Sequence, residues 1–578
     1  MSARTRIIQG LDKLRLQTAR PDALIQLSIL GLIVGLLTGI TIVAFLFVID
    51  TALRYLLPSN NAENFEGLSL AARFIFPVVG AILLAVIFKL VAKKDHVVGV
   101  VNVLERLRFH EGYMKLRSFI LQFIGASIAL ISGQSMGREG PAIHLGSSIG
   151  SLFGQSIGLP NNAMRTLLAC GSAAAIGAAF NTPLAGVIFA MEIIIVEYTL
   201  ASFIPIIIAA VAASGIAHAA HGNQPILQIS ELAHVTAIEI PFIILLGVLV
   251  GIASTFFSIT VRYLSQVVNQ TDLSLRFIAA GVFTGLVAIA IPQVLGLGYD
   301  TIHHAVLGQY SISLLFAIMV CKIITTAVSV SCGLPAGLIS PSLVIGSVGG
   351  ALMGSLLHQW FDIPQENNSL YALIGMSAMM GACLQAPLAA LTAVFEVSAS
   401  HHIIWPSMLA IVIAQLISRQ LFRQPPIFDL LLQARGLDTY ENPIMQSLHR
   451  TGVAKVMSQD FICLEKNVDL MQAKGEIKTD PQWIVVTDNK QPVSLLRGID
   501  LIHFIEQESP EEKLDLMDIP AKRYQLANID VRATMAKAHK TFNQEHPEAL
   551  CVTHWDRNAA RYVYGVLTKE QFDNSFTR

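Results

Sequence analysis

Apolar residues in the first three quarters of this chain run together rather than alternating with polar ones. The runs fall at 24–56, 69–92, 117–132, 141–158, 166–219, 237–263, 276–296, 312–332, 341–360, 370–398 and 403–422. A helix needs about 20 apolar residues to cross the hydrocarbon core of a bilayer. Several runs are shorter than that, and 166–219 is too long for one helix and must turn. The mixture predicts an α-helical polytopic membrane protein in which broken and re-entrant helices pack inside full spans. Beyond Arg435 the pattern changes. Charges, Asn, Gln and His return, with strand-like stretches at Trp483–Thr487, Ala549–Thr553 and Tyr562–Leu567. The remainder predicts a small, separate α/β domain.

Composition sharpens this division. Of 578 residues, 53% are hydrophobic and 14% charged, against about 25% charged in an ordinary soluble domain. A net charge of -1 offers no electrostatic footprint for nucleic acid. The six cysteines are scattered, with no C-x-x-C pair, so they read as small packing residues rather than metal ligands or a disulfide frame. Arg4, Arg6, Lys13, Arg15 and Arg20 precede the first apolar run, which is far longer than the core of a signal peptide. By the positive-inside rule the N-terminus is cytosolic, and the tail, attached to the last helix, is placed in the cytosol as well. The expected organisation is an N-terminal cytosolic helix over 1–22, membrane repeats over 23–225 and 235–435, and the tail domain over 445–578. The chain's size and brief tail suggest the inner membrane of a bacterium.

The two membrane zones are related. Gly137-Arg-Glu-Gly-Pro141 followed by Gly146-Ser147 aligns, 200 positions on, with Gly337-Leu-Ile-Ser-Pro341 and Gly346-Ser347. Gly177 to Pro183-Leu-Ala recurs as Gly381 to Pro387-Leu-Ala, and the same register pairs Glu192 with Glu396. Two matches in the same order indicate a duplicated unit. In each copy Gly and Pro stand just ahead of a helical run, with proline expected at the first helical position. The result is a helix start at membrane depth, whose free N–H groups and positive dipole end bind an anion without a full charge in lipid. Within one copy lies Glu139. A carboxylate in a membrane segment marks an ion or proton path by default; charged, it occupies the anion's place, and protonated it withdraws. Arg138 reads as its partner or as a positive entrance, and the second copy is expected to contribute backbone alone. Glu192 and Glu396 read as structural, bonded to helix ends. The glycines at every fourth position from Gly146 and from Gly346 read as close helix–helix contacts. Gly133-Gln-Ser135-Met-Gly137 fits a nucleophile elbow on paper, but that motif needs a strand-to-helix turn, so no enzyme activity is expected.

Together, Gly137-Arg-Glu-Gly-Pro141-x-x-His144, Gly337-Leu-Ile-Ser-Pro341 and Asn181-Thr-Pro183-Leu-Ala-Gly186 resemble the CLC family of chloride channels and chloride/proton antiporters. The resemblance covers about residues 20–435 and continues into the tail. It implies a CLC-type inverted repeat, a homodimer with one pore per subunit, chloride as the ion carried, and Glu139 as the gate. It also implies an anion site formed by Arg138, Gly140, Gly337 and the backbone N–H groups of Leu338 and Ile339. Three positions depart from the family pattern. Val98 stands where a serine would ligate chloride, Phe428 where a tyrosine would, and Ile193 where antiporters carry an inner proton-transfer glutamate. These departures point to a channel-like or weakly proton-coupled conductor, with an H+/Cl- antiporter as the alternative and a membrane sensor acting through its tail as a third reading.

The tail resembles a tandem CBS module, with units near 453–506 and 528–576. Such modules often bind adenine nucleotides through a hydroxyl and an acid after a strand. Here Asp500 keeps the acid but Arg497 replaces the hydroxyl, while Thr568 keeps the hydroxyl but Gln571 replaces the acid. Each unit therefore retains half the pattern, and a structural or dimer-supporting role is the favoured reading. No metal or other cofactor is implied.

Overall fold

The computed structural model describes residues 14–19, 23–58, 63–92, 95–196, 198–222, 235–361, 367–437, 445, 448–449, 451–508, 513–555 and 561–575. It divides into two compact units. One gathers Leu27–Ser156 and Arg165–Thr439, the other Met1–Gln26, Ile157–Met164 and Tyr440–Arg578. Most of both repeats thus falls in one unit, while Ile157–Met164 and the residues up to Gln26 belong to the other. The helix expected over 1–22 lies largely outside the described residues, of which 14–18 are helical.

The membrane unit is built of helices: α1 (Leu24–Leu56), α2 (Leu70–Lys89), α3 (Gly99–Phe109), α4 (Leu116–Ile131), α5 (Glu139–Ile157), α6 (Asn161–Phe180), α7 (Pro183–Phe189) and α8 (Leu200–His221). The second repeat supplies α9 (Ile240–Val268), α10 (Leu273–Ala290), α11 (Tyr299–Val306), α12 (Ile312–Ser331), α13 (Ile339–Phe361), α14 (Asn368–Leu384), α15 (Pro387–Ser398), α16 (Ile404–Leu416) and α17 (Ile427–Gln433). Among the described residues, nine helical segments are long and apolar enough to cross a membrane. The 166–219 run does turn, at Asn181–Thr182 and again between Ile195 and Thr199.

In α1, Leu30, Val34, Ile42, Phe45 and Ile49 are buried, while Ile25, Ile29, Ile40 and Phe47 on other faces are exposed. A helix apolar on every side suits lipid and not water. Small residues bring the helices together. A Cβ on Gly146 or Gly150 of α5 would strike the backbone of α6 at Gly171 or Leu167, and Gly346 and Gly350 of α13 meet Gly375 and Tyr371 of α14 in the same way. The duplication is therefore visible in packing as well as in sequence. A Cβ on Gly31 of α1 would lie 2.8 Å from the Pro205 carbonyl oxygen of α8, and one on Gly247 of α9 3.0 Å from that of Ala410 of α16.

The two prolines of the first motif correct one expectation. Helices α5 and α13 open at Glu139 and Ile339, two residues before Pro141 and Pro341, rather than at the prolines. First-turn N–H groups have no acceptor within the helix, so proline is tolerated throughout that turn. Pro183 and Pro387 do begin their helices.

The tail's six-stranded sheet has the order β1 (Phe461–Glu465), β3 (Trp483–Asp488), β4 (Gln491–Arg497), β6 (Tyr524–Asp530), β7 (Ala549–Trp555), β8 (Arg561–Thr568), while β2 (Asn467–Asp469) pairs with β5 (Lys513–Asp515). Strand β1 runs parallel to β3 and β3 antiparallel to β4; β6, β7 and β8 repeat that arrangement. A register shift falls at Val486/Thr487 in one half and at Val552/Thr553 in the other. Helices α18 (Val453–Val456), α19 (Leu470–Ile477), α20 (Gly498–Glu508), α21 (Met535–Glu545) and α22 (Lys569–Asn574) complete the unit. Within it, Arg15 Nε donates to the Ile157 carbonyl (3.0 Å) and Asn162 Nδ2 to those of Thr18 and Ala19 (3.1 and 3.2 Å).

Candidate functional site

The two copies of the Gly–Pro motif meet. Gly137 N–H donates to the Gly337 carbonyl and Gly337 N–H to that of Gly137, both at 2.7 Å, so the motifs form a two-residue antiparallel bridge. The approach leaves no room for side chains. A Cβ on Gly140 would lie 2.8 Å from Gly337 Cα, and one on Gly337 2.7 Å from Gly140 N. Glycine is required on both sides by backbone contact, and the starts of α5 and α13 are thereby held against each other.

Glu139 points across this junction into the other repeat and is buried, at 1% exposure. Its Oε2 accepts the Ser340 backbone N–H (3.1 Å) and its Oε1 the Tyr299 hydroxyl (2.9 Å) and the Ser340 hydroxyl. The carboxylate therefore sits on a first-turn N–H of α13, where the helix leaves a donor unpaired and its dipole is positive. The expectation that the second copy contributes backbone alone is corrected here, because the Ser340 side chain is also a donor. Arg138 does not ion-pair with Glu139 across this contact. Its guanidinium lies over the rings of Tyr299 (5.2 Å) and Phe180 (5.4 Å), as cations do on aromatic faces.

Tyr299 opens α11 after Gly298, which has φ 81°. Behind it, Glu63 from the α1–α2 loop and Asp300 line a small cavity with Gly298, Phe65 and Leu130. Burial, reinforced by Asp300, pushes Glu63 up to about 7. Burial likewise brings Asp300 up to about 6, against the opposing hydrogen bond from Thr301 N–H. Lys322 of α12 is fully buried and donates to the carbonyls of Val294 (2.9 Å) and Gly296 (3.2 Å).

Two cavities reach this junction. The larger, about 250 Å³, is lined by Val98, Gly140, Gly337, Leu338, Ile339 and Phe428, with Arg276 and Arg435 among its other walls. Six predicted anion-site residues are thus brought together, while Arg138 is not among them. Val98 and Phe428 present hydrocarbon where a hydroxyl would face the cavity. Gln122 goes unnoticed in the sequence; its Oε1 accepts Gly99 N–H (2.5 Å) and its Nε2 donates to the Pro335 carbonyl (2.8 Å), tying the Val98 loop to the Gly337 loop. The smaller cavity, about 40 Å³, is lined by Glu139 and otherwise by residues such as Phe180, Ala185, Phe189, Met376 and Val397. Glu139 is the one titratable group in its wall.

The remaining predicted residues lie elsewhere. Ile193 is buried in the π-helical turn Ala190–Ile194 that extends α7. Glu192 accepts the N–H groups of Leu388 (3.3 Å) and Ala389 (2.8 Å) at the start of α15, and Glu396 accepts those of Leu184 (3.0 Å) and Ala185 (2.7 Å) at the start of α7. Each repeat caps the other's helix. Ser135 bonds the hydroxyls of Thr325 and Thr326, with no elbow around it. In the tail, the Thr568 hydroxyl accepts Gln571 N–H and Gln571 accepts Thr568 N–H, a capping box at α22. Arg497 donates to the Tyr524 hydroxyl (3.1 Å), and Asp500 lies in the first turn of α20.

The family described as voltage gated chloride channel matches residues 79–419. The H(+)/Cl(-) exchange transporter ClcA of Vibrio parahaemolyticus is 30% identical over 326 residues, which is 54% of this chain and 68% of that protein. A protein of Ralstonia nicotianae named as a ClcB-like chloride channel protein is 28% identical over 345 residues, 59% of this chain and 80% of its own. The crystal structure of a slow cyanobacterial Cl-/H+ antiporter superposes with a TM-score of 0.63 at 22% identity, over 71% of this chain and 97% of that one.

Proposed function

This chain belongs to the CLC family of voltage gated chloride channels, and on that premise we propose that Glu139 gates a chloride pore in each subunit. The chain is an integral membrane protein of chloride transport. The observation that carries the gate is the seat of the carboxylate: Glu139 accepts the Ser340 N–H at the start of α13, where a free anion would bind. A charged Glu139 competes with chloride, and a protonated one releases the seat. Glu139→Gln is expected to give fast flux that no longer changes with pH in chloride-loaded vesicles. Retention of the wild-type pH dependence would sink the gating role.

We favour a channel-like or weakly proton-coupled conductor. Two features support that reading. Val98 and Phe428 supply no hydroxyl to replace the water that chloride sheds, and each such bond to an ion contributes about 1.5–3 kcal/mol. Ile193 offers no carboxylate to relay protons, and apart from Thr182 the residues lining the cavity beside Glu139 are apolar. The antiporter is the second reading, favoured by relatives named as exchange transporters; one or two waters in that cavity would then carry the proton. Vesicles with a potassium shunt and a proton detector separate the two. Chloride efflux without proton movement means a channel, efflux that drives protons uphill an antiporter, and no flux at all leaves the sensor.

A homodimer is proposed on the family resemblance alone. From the basic residues ahead of the first apolar run we read both termini as cytosolic. For the CBS-like tail we favour support of the assembly over adenine nucleotide binding, since Thr568 and Gln571 already satisfy each other. A shift in unfolding temperature on adding ATP would reverse that preference.

A further inference from the structure

Resting on the gate reading above, we propose that Tyr299 is the latch on the gate and, once Glu139 leaves, a direct ligand of the chloride that replaces it. Among the donors to Glu139, the Ser340 backbone N–H belongs to the helix start, while the Tyr299 and Ser340 hydroxyls are side chains that this sequence adds. The larger cavity has lost its hydroxyls at Val98 and Phe428. The seat of the gate, one motif away, has two.

The Tyr299 hydroxyl is held in place. Gly298 turns the chain with φ 81°, and a Cβ there would meet Val344 at 2.8 Å. One face of the Tyr299 ring carries the Arg138 guanidinium at 5.2 Å, and its edge meets the Phe180 ring at 6.3 Å. The Tyr299 and Ser340 hydroxyls lie 3.2 Å apart, so when the carboxylate departs one can donate to the other, but the remaining hydroxyl hydrogen and the Ser340 N–H lose their acceptor, which is costly in a buried site. An anion arriving at the seat satisfies Tyr299 Oη, Ser340 Oγ and Ser340 N–H together. A donor fixed in advance favours whichever anion is present. While Glu139 is seated, Tyr299 therefore favours its charged, closed form.

The charged and titratable groups around this seat are Arg138 on the turn before α5, Tyr299, Asp300 beside it on α11, Glu63 from the α1–α2 loop, Asp50 on α1 and Lys322 on α12. Of these, Tyr299 alone hydrogen-bonds the Glu139 carboxylate among the described residues, so removal of its hydroxyl changes the seat with the other charges in place.

Tyr299→Phe deletes one oxygen. In vesicles the variant should open at higher pH, its half-activation moved up by about one unit, because a donor to the charged carboxylate has been removed. Chloride binding then isolates the ligand role. Glu139→Gln vacates the seat, and calorimetry on purified Glu139→Gln with Tyr299→Phe should show chloride held about tenfold more weakly than by Glu139→Gln alone. Equal affinities in that pair, or an unmoved pH profile in Tyr299→Phe, would overturn the proposal. Flux reduced equally at every pH would assign Tyr299 to packing and overturn it too. These failures are distinct from failure of the gate itself, which shows as pH-dependent flux in Glu139→Gln alone.

Discussion

At Val98 and Phe428 the chain lines its larger cavity with hydrocarbon beside the backbone of Gly337, Leu338 and Ile339. On the proposed reading, a chloride resting against these two positions gains no hydroxyl from either of them. Val98→Ser and Phe428→Tyr each restore one hydroxyl, and each is expected to tighten chloride binding about tenfold or more. Calorimetry on the purified variants checks this; unchanged affinity would mean that chloride does not rest against these positions. The roles of single residues were unevenly legible in the sequence. Glu139 stood out as a carboxylate in an apolar run. Tyr299 did not, because its contact with Glu139 joins positions 160 apart, and an aromatic at the end of an apolar stretch is ordinary. Ser340 was visible inside its motif, yet nothing in sequence told that its hydroxyl would turn toward the other repeat.

Among the elements, the helices that follow the paired motifs were readable because glycine, proline and apolar spacing repeat in register. What the sequence could not reveal was how the repeats are joined. Glu192 closes the start of α15 and Glu396 the start of α7, and a carboxylate on first-turn N–H groups stabilises a helix start. Glu192→Gln or Glu396→Gln should each lower the unfolding temperature of the detergent-solubilised protein by a few degrees at most, and the pair should cost more than either alone. If both single variants unfold as the wild type does, the caps contribute nothing. The π-helical turns Ala190–Ile194 and Ile417–Leu421 were also hidden, since one extra residue in a turn leaves no mark on hydropathy.

For the whole molecule, the two units follow different physics. The tail is a water-exposed sheet whose core includes Leu550, Val552, Leu567, Phe542 and Phe572, and it responds to pH through groups at its surface. Burial acts to raise the Asp530 carboxyl, but the hydrogen bonds and charge of Arg532 prevail, and its pKa is held below the usual carboxylate range. His554 lies 3.6 Å away. A carboxyl depressed on folding stabilises the fold above its unfolded value, about 3.9, and that contribution is lost as pH falls through the folded value. Asp530→Asn should therefore weaken hydrogen-exchange protection of Tyr524–Asp530 at neutral pH, with the difference from wild type closing below about pH 4. A difference that persists in acid would point to lost packing rather than lost charge.

The mutual capping by Glu192 and Glu396, with the reciprocal bond between Gly137 and Gly337, bears on ancestry. Duplication usually leaves two pieces that resemble their parent, but here each copy ends its helices on carboxylates and carbonyls lent by its sibling. Either copy taken alone would need a second chain to lend the same groups. The two copies are in that sense a pair as well as a tandem, each complete only beside the other.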